Sequence, residues 1–420
     1  MKVLVVGGGG REHALVWKIA RSPRVDKLYC APGNGGIAAL AECLPYKATD
    51  MEGISDFAVK NQVDLVMVAP DDPLAAGMVD VLESKGVRAF GPCKKAAELE
   101  GSKAFSKGLM KKYGIPTAAY EVFDNPVSAI EYLSHLRKYP TVVKADGLAL
   151  GKGVIIARDF GQARDAVNSI MTARTFGSAG DRVIIEEFME GPEVSILAFT
   201  DGKTIVPMAS SQDHKRIFDG DRGPNTGGMG TFSPSRIYTP EMAEYCMKNI
   251  YRPTVEAMNS EGRKFKGVLY FGLMITSEGP KVLEYNARFG DPETQVVLPK
   301  LKTDIIEIFE AVIDEKLDSV KIEWEDNAAV CVILASGGYP GKYGKGVEIS
   351  GIADAEKDAS VTVFHAGTEL NGGRYLTSGG RVLGVTAVDA DFDKAREKAY
   401  NAVKKINFDG MQYRKDIGIK

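Results

Sequence analysis

Residues 282–293 (VLEYNARFGDPE) place hard oxygen donors at a spacing that suits a divalent cation. Glu284 and Asn286 are two positions apart in a predicted strand, so both side chains are expected on one face. Mg²⁺ is often held by one or two carboxylates together with substrate phosphates. Arg288 follows at the same parity and could neutralise charge on a phosphoryl group in transfer. The competing interpretation of this segment is a solvated strand edge.

Residues 142–154 (VVKADGLALGKGV) predict a site for nucleotide phosphates. Lys144 ends a predicted strand, where its ammonium can meet phosphate as a compact point charge. The following loop, with Gly147, Gly151 and Gly153 around Lys152, can close over phosphates through its backbone amides. A surface hairpin with solvated lysines is the alternative.

Residues 183–193 (VIIEEFMEGPE) could recognise the nucleoside. Glu186 lies near the end of a predicted strand, and the backbone at Glu187 and Phe188 could contact an adenine edge. Glu193 could accept hydrogen bonds from ribose hydroxyls. Strand ends rich in glutamate are usually solvated, but the three segments together indicate an ATP site.

A glycine run that follows the first strand and opens a helix predicts an anion site, because glycine amides and the helix N-terminus both attract negative charge. Its central residues are Gly8, Gly9 and Gly10. A dinucleotide-binding loop would have glycine where Glu12 stands, and an acidic residue where the second strand ends in residues 30–32. Phosphate binding is therefore favoured over a structural turn or NAD. The second glycine cluster, 32–36, is either part of the pocket or only a loop.

The elements that must position these residues divide the chain into several units. Short apolar strands alternate with helices at the start, which predicts a doubly wound parallel sheet. The pattern then changes to α+β with an antiparallel sheet, an irregular polar segment at 211–236, and a strand pair joined by a turn at Gly279. The predicted α/β and α+β domains are 1–100, 101–190 with a lid at about 121–189, 191–326, and a small α+β domain at 327–420.

The composition excludes several classes of protein. Its 420 residues suit several domains. The net charge of −3 offers no broad attraction to nucleic acid or to an acidic membrane. Five scattered cysteines without a CxxC pair predict a reducing, cytoplasmic location. No apolar run is long enough to span a membrane, and the N-terminal strand is too short for a signal peptide.

Three longer motifs carry a resemblance to a known family: 5–14 (VVGGGGREHA), 223–230 (GPNTGGMG) and 286–293 (NARFGDPE). The chain resembles the ATP-grasp superfamily and, within it, the phosphoribosylamine–glycine ligase family over essentially its whole length. The resemblance implies that ATP, glycine and 5-phosphoribosylamine give glycinamide ribonucleotide, ADP and phosphate in purine biosynthesis. It implies no nucleic-acid or membrane partner, and a monomer is expected.

The resemblance also implies roles for individual residues. Lys103, Lys144 and the 147–153 loop would bind ATP phosphates, and Glu186, Phe188 and Glu193 would bind its adenosine. Mg²⁺ or Mn²⁺ would be bound by Glu284 and Asn286, and sugar phosphate by the first glycine loop. The remaining implied residues are catalytic (Arg288, Asp213, Lys215) or substrate-binding (Asn225, Gly228, Asp291).

The sequence departs from the family pattern in two places. Residues 69–74 read APDDPL where GPEAPL is expected, which shortens a carboxylate near the sugar pocket. Thr231 and Phe232 replace the commoner Ala-Tyr. Two alternatives stay open: another ATP-grasp carboxylate–amine ligase or carboxylase of nucleotide biosynthesis, and a nucleotide-sensing or NAD-binding module. His214, in a polar loop, is a possible binding residue.

Overall fold

The computed structural model describes residues 1–148 and 153–419. It begins with a five-stranded parallel sheet of order β3-β2-β1-β4-β5. Successive residues of β1 pack into two different apolar cores, Leu4 and Val6 on one face and Val3 and Val5 on the other. The predicted doubly wound sheet is therefore confirmed. Its elements are β1 Lys2–Gly7, α1 Gly10–Ile19, β2 Lys27–Pro32, β3 Glu42–Cys43, α2 Met51–Lys60, β4 Leu65–Val68, α3 Asp71–Ala76, α4 Met78–Ser84 and β5 Ala89–Phe90.

A four-stranded antiparallel sheet of order β6-β9-β7-β8 follows, covered by two helices that share a core with it. It is preceded by a helix that begins at the capping residue Ser102 and ends at Gly114, where φ is +67°. Glycine suits that left-handed position because it has no Cβ. The elements are α5 Lys94–Gly101, α6 Lys103–Tyr113, β6 Tyr120–Phe123, α7 Pro126–His135, β7 Thr141–Ala145, β8 Val154–Ala157, α8 Phe160–Val167 and β9 Val183–Glu187.

A second four-stranded sheet, of order β11-β10-β16-β17, carries the strand with the predicted metal ligands. Gly279 opens β17 at φ +108°, which confirms the predicted turn. Apolar residues of β10 and β16 pack against α10 on one face of this sheet. The elements are β10 Glu193–Thr200, β11 Ile205–Pro207, α9 Pro240–Cys246, α10 Arg252–Ser260, β16 Gly267–Thr276, β17 Gly279–Asn286, α11 Thr294–Val297 and α12 Ile305–Ile313.

The prediction that 211–236 is irregular is wrong. The segment forms four short strands: β12 Gln212–Asp213, β13 Arg216–Phe218, β14 Arg222–Asn225 and β15 Gly230–Ser233. β15 is fully buried and pairs with a strand about a hundred residues further along the chain, β18 Ala328–Ala335. Strands of two to four residues are too short to show an alternating pattern, so their pairing is set by tertiary contacts.

The C-terminal strands complete a five-stranded sheet of order β12-β15-β18-β23-β20, against which α14 packs. A small sheet of order β19-β22-β21 stands beside it. In the part of the chain described here, no helix combines the length and the apolar character needed to cross a membrane. The elements are β18 Ala328–Ala335, β19 Glu348–Ile349, α13 Ile352–Ala355, β20 Val361–His365, β21 Thr368–Asn371, β22 Arg374–Thr377, β23 Arg381–Asp389 and α14 Phe392–Val403.

Candidate active site

Two lysines converge on one buried carboxylate between α6 and the β6–β9 sheet. The Nζ atom of Lys144, on β7, lies 2.8 Å from Oε2 of Glu186, on β9. The Nζ atom of Lys107 lies 3.2 Å from the same oxygen. Burial opposes ionisation of Glu186, but Lys144 and Lys107 outweigh it and lower the pKa of its carboxyl group. The cluster thus holds one more positive than negative charge, which suits an anionic ligand.

Lys103 lies one helical turn before Lys107, at the start of α6. Its Nζ atom donates a hydrogen bond to the carbonyl oxygen of Gly147 at 2.9 Å, and burial lowers the pKa of its ammonium group. Lys103 is therefore tied to the glycine loop that was predicted to cover phosphates. Gly153, at the far end of that loop, pairs with β7 through its carbonyl oxygen. The predicted ATP-binding residues Gly151 and Lys152 lie outside the described residues.

Lys215 bridges two carboxylates of the neighbouring sheet. Its Nζ atom lies 3.2 Å from Oε1 of Glu284 and 3.6 Å from Oε2 of Glu193. The charge of Lys215 lowers the pKa of Glu284 to about 2, although burial opposes this. Glu284 likewise raises the pKa of Lys215 well above its ordinary value. The predicted catalytic lysine and the predicted metal ligand therefore face each other.

Arg288 lies close to the predicted metal ligands, as its parity indicated, with Nη2 3.5 Å from Oδ1 of Asn286. The same Nη2 is 2.9 Å from Oε1 of Glu100 and 4.0 Å from Oδ2 of Asp71. Glu100 also accepts a hydrogen bond from the backbone amide of Ala287 at 2.7 Å. The arginine is thus held between the end of β17 and the segment 69–74.

Asp213 and Gly228 are packed against each other. A Cβ on Gly228, where φ is +114°, would lie 2.6 Å from Oδ1 of Asp213, so only glycine fits there. Burial raises the pKa of Asp213 well above its ordinary value, and the charge of Glu293 adds to this shift. Oε1 of Glu293 accepts hydrogen bonds from the hydroxyl groups of Ser195 and Tyr270. The carboxyl groups of Asp213 and Glu293 therefore lie near each other beside the glycine motif, and that of Glu293 is buried.

Arg381, at the start of β23, connects the glycine motif to the loop after β17. Its Nη2 lies 3.1 Å from Oδ2 of Asp291, and its Nη1 donates to the carbonyl oxygen of Gly227 at 2.6 Å. Burial opposes ionisation of Asp291, but Arg381 together with other cations lowers the pKa of its carboxyl group. The C-terminal sheet therefore supplies a side chain to the candidate site.

The first glycine loop packs closely against its surroundings. A Cβ on Gly8 would lie 2.4 Å from the carbonyl oxygen of Gly33, and one on Gly10 would lie 2.6 Å from Nε2 of Gln295. The amide of Gly9 donates to Oε2 of Glu12 at 2.6 Å, so this amide is already engaged and α1 is capped from within. The second glycine cluster therefore packs directly against the first glycine loop.

The other predicted residues lie further from these contacts. Glu187 is exposed and its Oε1 is 3.5 Å from Nζ of Lys138, and Phe188 is half-buried beside it. Asn225 ends β14 and pairs in register with Arg216. His214 is buried against Phe232, and burial together with Arg414 lowers the pKa of its imidazole to about 4.

Sequence reasoning did not single out three residues of the candidate site: Lys107, Glu100 and Arg381. Lys107 had a local signal, since it is four residues after Lys103 and therefore on the same helix face. Glu100 and Arg381 had none, because their partners are distant in sequence.

The residues on β17 fit a divalent cation. Glu284 and Asn286 lie on the same strand and pair in register with Gly272 and Tyr270. The Glu284 side chain is about a third exposed, at 33%, and its lowered pKa keeps it ionised. No group of three or more acidic, histidine or cysteine side chains suited to a metal occurs among residues 1–148 and 153–419. A cation here would therefore need further oxygen ligands from phosphate.

Three features together define an ATP-grasp enzyme: a parallel-sheet unit, an antiparallel unit with buried lysines, and a strand bearing a carboxylate and an amide. Residues 101–294 match the model of the phosphoribosylglycinamide synthetase ATP-grasp (A) domain. Residues 1–100 match the N domain of the same enzyme, and residues 329–420 match its C domain. The chain belongs to the phosphoribosylamine–glycine ligase family.

Individual relatives agree with this assignment. The chain is 51% identical over 417 residues to a phosphoribosylamine–glycine ligase of Caldanaerobacter subterraneus subsp. tengcongensis, covering 99% of both. It is similar to the crystal structure of phosphoribosylamine–glycine ligase from Thermotoga maritima, with a TM-score of 0.85, 34% identity and complete coverage of both chains. Biotin carboxylase from Campylobacter jejuni shares the fold, with a TM-score of 0.75 at 13% identity and coverage of 98% and 92%.

Proposed function

We propose that this chain joins glycine to 5-phosphoribosylamine with hydrolysis of ATP, giving glycinamide ribonucleotide, ADP and phosphate in purine biosynthesis. The observation that carries the proposal is membership of the ligase family along nearly the whole chain. The site supports it with buried lysines, an oxygen-donor pair and a glycine loop beside Asp291 within one structure. The chain is expected to act as a monomer in the cytoplasm.

ATP binds, in this proposal, between the two lysine-bearing elements. Lys103 and Lys144 meet its phosphates, and the 147–153 loop covers them. The adenosine is bound by Glu186, by the backbone of 187–188 and by Glu193. The excess positive charge around Glu186 supports this assignment, because a buried net charge is stabilised by an ion of opposite sign.

Glu284 and Asn286 would hold Mg²⁺ or Mn²⁺. When bound, the cation neutralises charge on the phosphoryl oxygens. The ammonium group of Lys215 already lies 3.2 Å from Glu284. It is therefore close enough to reach a phosphate that is bound beside Glu284. Arg288 is positioned by Glu100 and Asp71 beside Asn286, where its guanidinium can stabilise the transferring group.

The chemistry runs through an acyl phosphate. A glycine carboxylate is a poor electrophile, so its oxygen first attacks the γ-phosphorus of ATP and ADP leaves. The amine of phosphoribosylamine then attacks the acyl carbon of glycyl phosphate, and inorganic phosphate leaves. Phosphoryl transfer needs positioning and charge neutralisation more than a protein nucleophile. Cys331 lies near Asp291 and Arg381, but burial raises the pKa of its thiol to about 12, so it stays protonated.

The sugar phosphate and glycine would bind near the first glycine loop. Gly8, Gly9 and Gly10 would contact the sugar phosphate, and the other proposed substrate contacts are Asn225, Gly228 and Asp291. A Cβ on Gly9 would lie 3.6 Å from Oδ2 of Asp291, which supports a shared pocket for the loop and this carboxylate.

The test follows labelled oxygen and substrate dependence together. ADP release should require both glycine and phosphoribosylamine, and glycine labelled with ¹⁸O in its carboxyl group should pass one labelled oxygen to inorganic phosphate. Bicarbonate in place of glycine serves as the control for a carboxylase. Turnover with bicarbonate, or label that remains wholly in the glycinamide product, would contradict the proposed reaction.

A further inference from the structure

Lys107 stands behind the nucleotide site and is anchored independently of it. Its side chain is 3% exposed. Its Nζ atom donates a hydrogen bond to Oγ1 of Thr117 at 2.8 Å, and that hydroxyl in turn donates to the carbonyl oxygen of Val282 at 2.7 Å. A lysine bonded in this way has a fixed position, because moving it would leave buried polar atoms without partners.

Lys144 differs from Lys107 in its attachments, although both contact the same carboxylate oxygen. Its ammonium group has Glu186 as its single ion-pair partner in the part of the chain that the structure describes. It also stands at the end of β7, next to the glycine loop, whereas Lys107 lies in the middle of α6. Lys144 can therefore turn to a phosphate while Lys107 stays in place.

The carboxylate needs a partner at every stage. Glu186 is 2% exposed, and its Oε1 atom is buried without a hydrogen-bond partner among the described residues. An ionised carboxylate left without a partner in such a place is strongly unfavourable. With Lys144 as its only cation, Glu186 would retain that lysine and compete with phosphate for it. With two cations on one oxygen, the loss of one leaves an intact ion pair.

We propose that Lys107 is a positioning residue for the nucleotide: it keeps Glu186 paired and in place, and so releases Lys144 to bind phosphate. This role rests on the proposed use of ATP. It gives Lys107, whose contacts include Glu186 and Thr117, a function distinct from that of Lys144. Lys144 thus binds phosphate, and Lys107 makes the movement of Lys144 possible.

The experiment is a double-mutant cycle on ATP binding, measured by calorimetry with Mg²⁺ and without the other substrates. Lys107→Met keeps the stem and removes the charge, so Lys144 stays on Glu186, and the dissociation constant for ATP should rise about tenfold or more. Lys111→Met removes a charge from the exposed side of the same helix and should bind ATP like the unmodified chain. Glu186→Gln removes the carboxylate that holds Lys144, so adding Lys107→Met to it should cost nothing further.

Two results would overturn the role of Lys107: unchanged ATP binding in Lys107→Met, or losses that multiply in the double variant. Thr117→Val provides a second route that leaves all charges in place. It should weaken ATP binding in the same direction by a smaller factor, and unchanged binding would also count against the proposal. Because ATP binding is measured alone, an unmodified chain that binds ATP but forms no glycinamide product would contradict only the proposed function.

Discussion

At the scale of single residues, the site is organised around charges that are already paired before any ligand arrives. Lys215 pairs with Glu284, and Arg288 pairs with Glu100. The cations of the site are therefore held close to the proposed positions of phosphate and metal, which favours catalysis by electrostatic preorganisation. Strand parity is a local property, so the sequence could predict that Glu284 and Asn286 share a strand and that Arg288 lies beside Asn286. Glu100 could not be found, because nothing in a helix-forming segment distinguishes a glutamate that binds an arginine 188 positions later.

Glu284→Ala tests the metal assignment. We expect the rate of ADP formation to fall by about a hundredfold or more, because a hard oxygen ligand is lost from the phosphoryl-transfer site. The loss should be partly relieved by raising Mg²⁺, so the rate is measured as a function of Mg²⁺ concentration. Glu278→Ala, on the exposed turn before the same strand, is the matched control and should change neither quantity. Near-normal activity of Glu284→Ala at limiting Mg²⁺ would show that the cation is held elsewhere.

At the scale of elements, the long regular pieces could be predicted and the short ones could not. The doubly wound sheet of residues 1–100 could be predicted, because its apolar strands and helices alternate along the whole segment. The segment 211–236 contains several glycines and charges, and its strands form only against β18 and one another. The glycine loop after β1 lies between these cases. Its position was predicted, but its contact with the second glycine cluster depends on the packing of two loops.

Gly8→Ala tests that contact. Its Cβ would lie 2.4 Å from the carbonyl oxygen of Gly33, and neither backbone can move without displacing a strand end. We expect the free energy of unfolding to fall by about 1–3 kcal/mol, as for other overpacked sites, with a raised KM for the sugar substrate. The control is Gly108→Ala in α6, where a Cβ meets no atom within 4 Å. It should stabilise the chain by roughly 0.5–1 kcal/mol, since alanine is the better helix former. Equal unfolding free energies for the two variants would contradict the close packing.

At the scale of the whole molecule, the N-terminal and C-terminal parts meet at the glycine loops. The side-chain amide of Asn34 donates to the carbonyl oxygens of Gly8 and His365, at 3.0 and 2.8 Å. The backbone amide of His365 donates to Nδ1 of His13 at 2.7 Å. That bond requires Nδ1 of His13 to be unprotonated, because a protonated nitrogen cannot accept. The contact between the two ends of the chain therefore depends on a neutral histidine.

This dependence predicts how stability changes with pH. Burial, together with the nearby His365, lowers the pKa of His13 to about 3, and burial lowers the pKa of His365 to about 4. The unfolded chain titrates its histidines near pH 6.5. Between about pH 4 and about pH 6.5 the unfolded state therefore binds more protons than the folded state, and stability falls as pH decreases. Each such histidine costs at most about 1.4 kcal/mol per pH unit below about pH 6.

The measurement is urea unfolding between about pH 7 and about pH 5, a range above the ordinary titration of carboxylates. His13→Asn retains an acceptor oxygen but does not titrate, so its pH dependence should be shallower by about one proton. His135→Asn, which changes an exposed histidine of α7, should leave the slope as it is. An unchanged slope in His13→Asn would mean that this junction does not sense pH through His13.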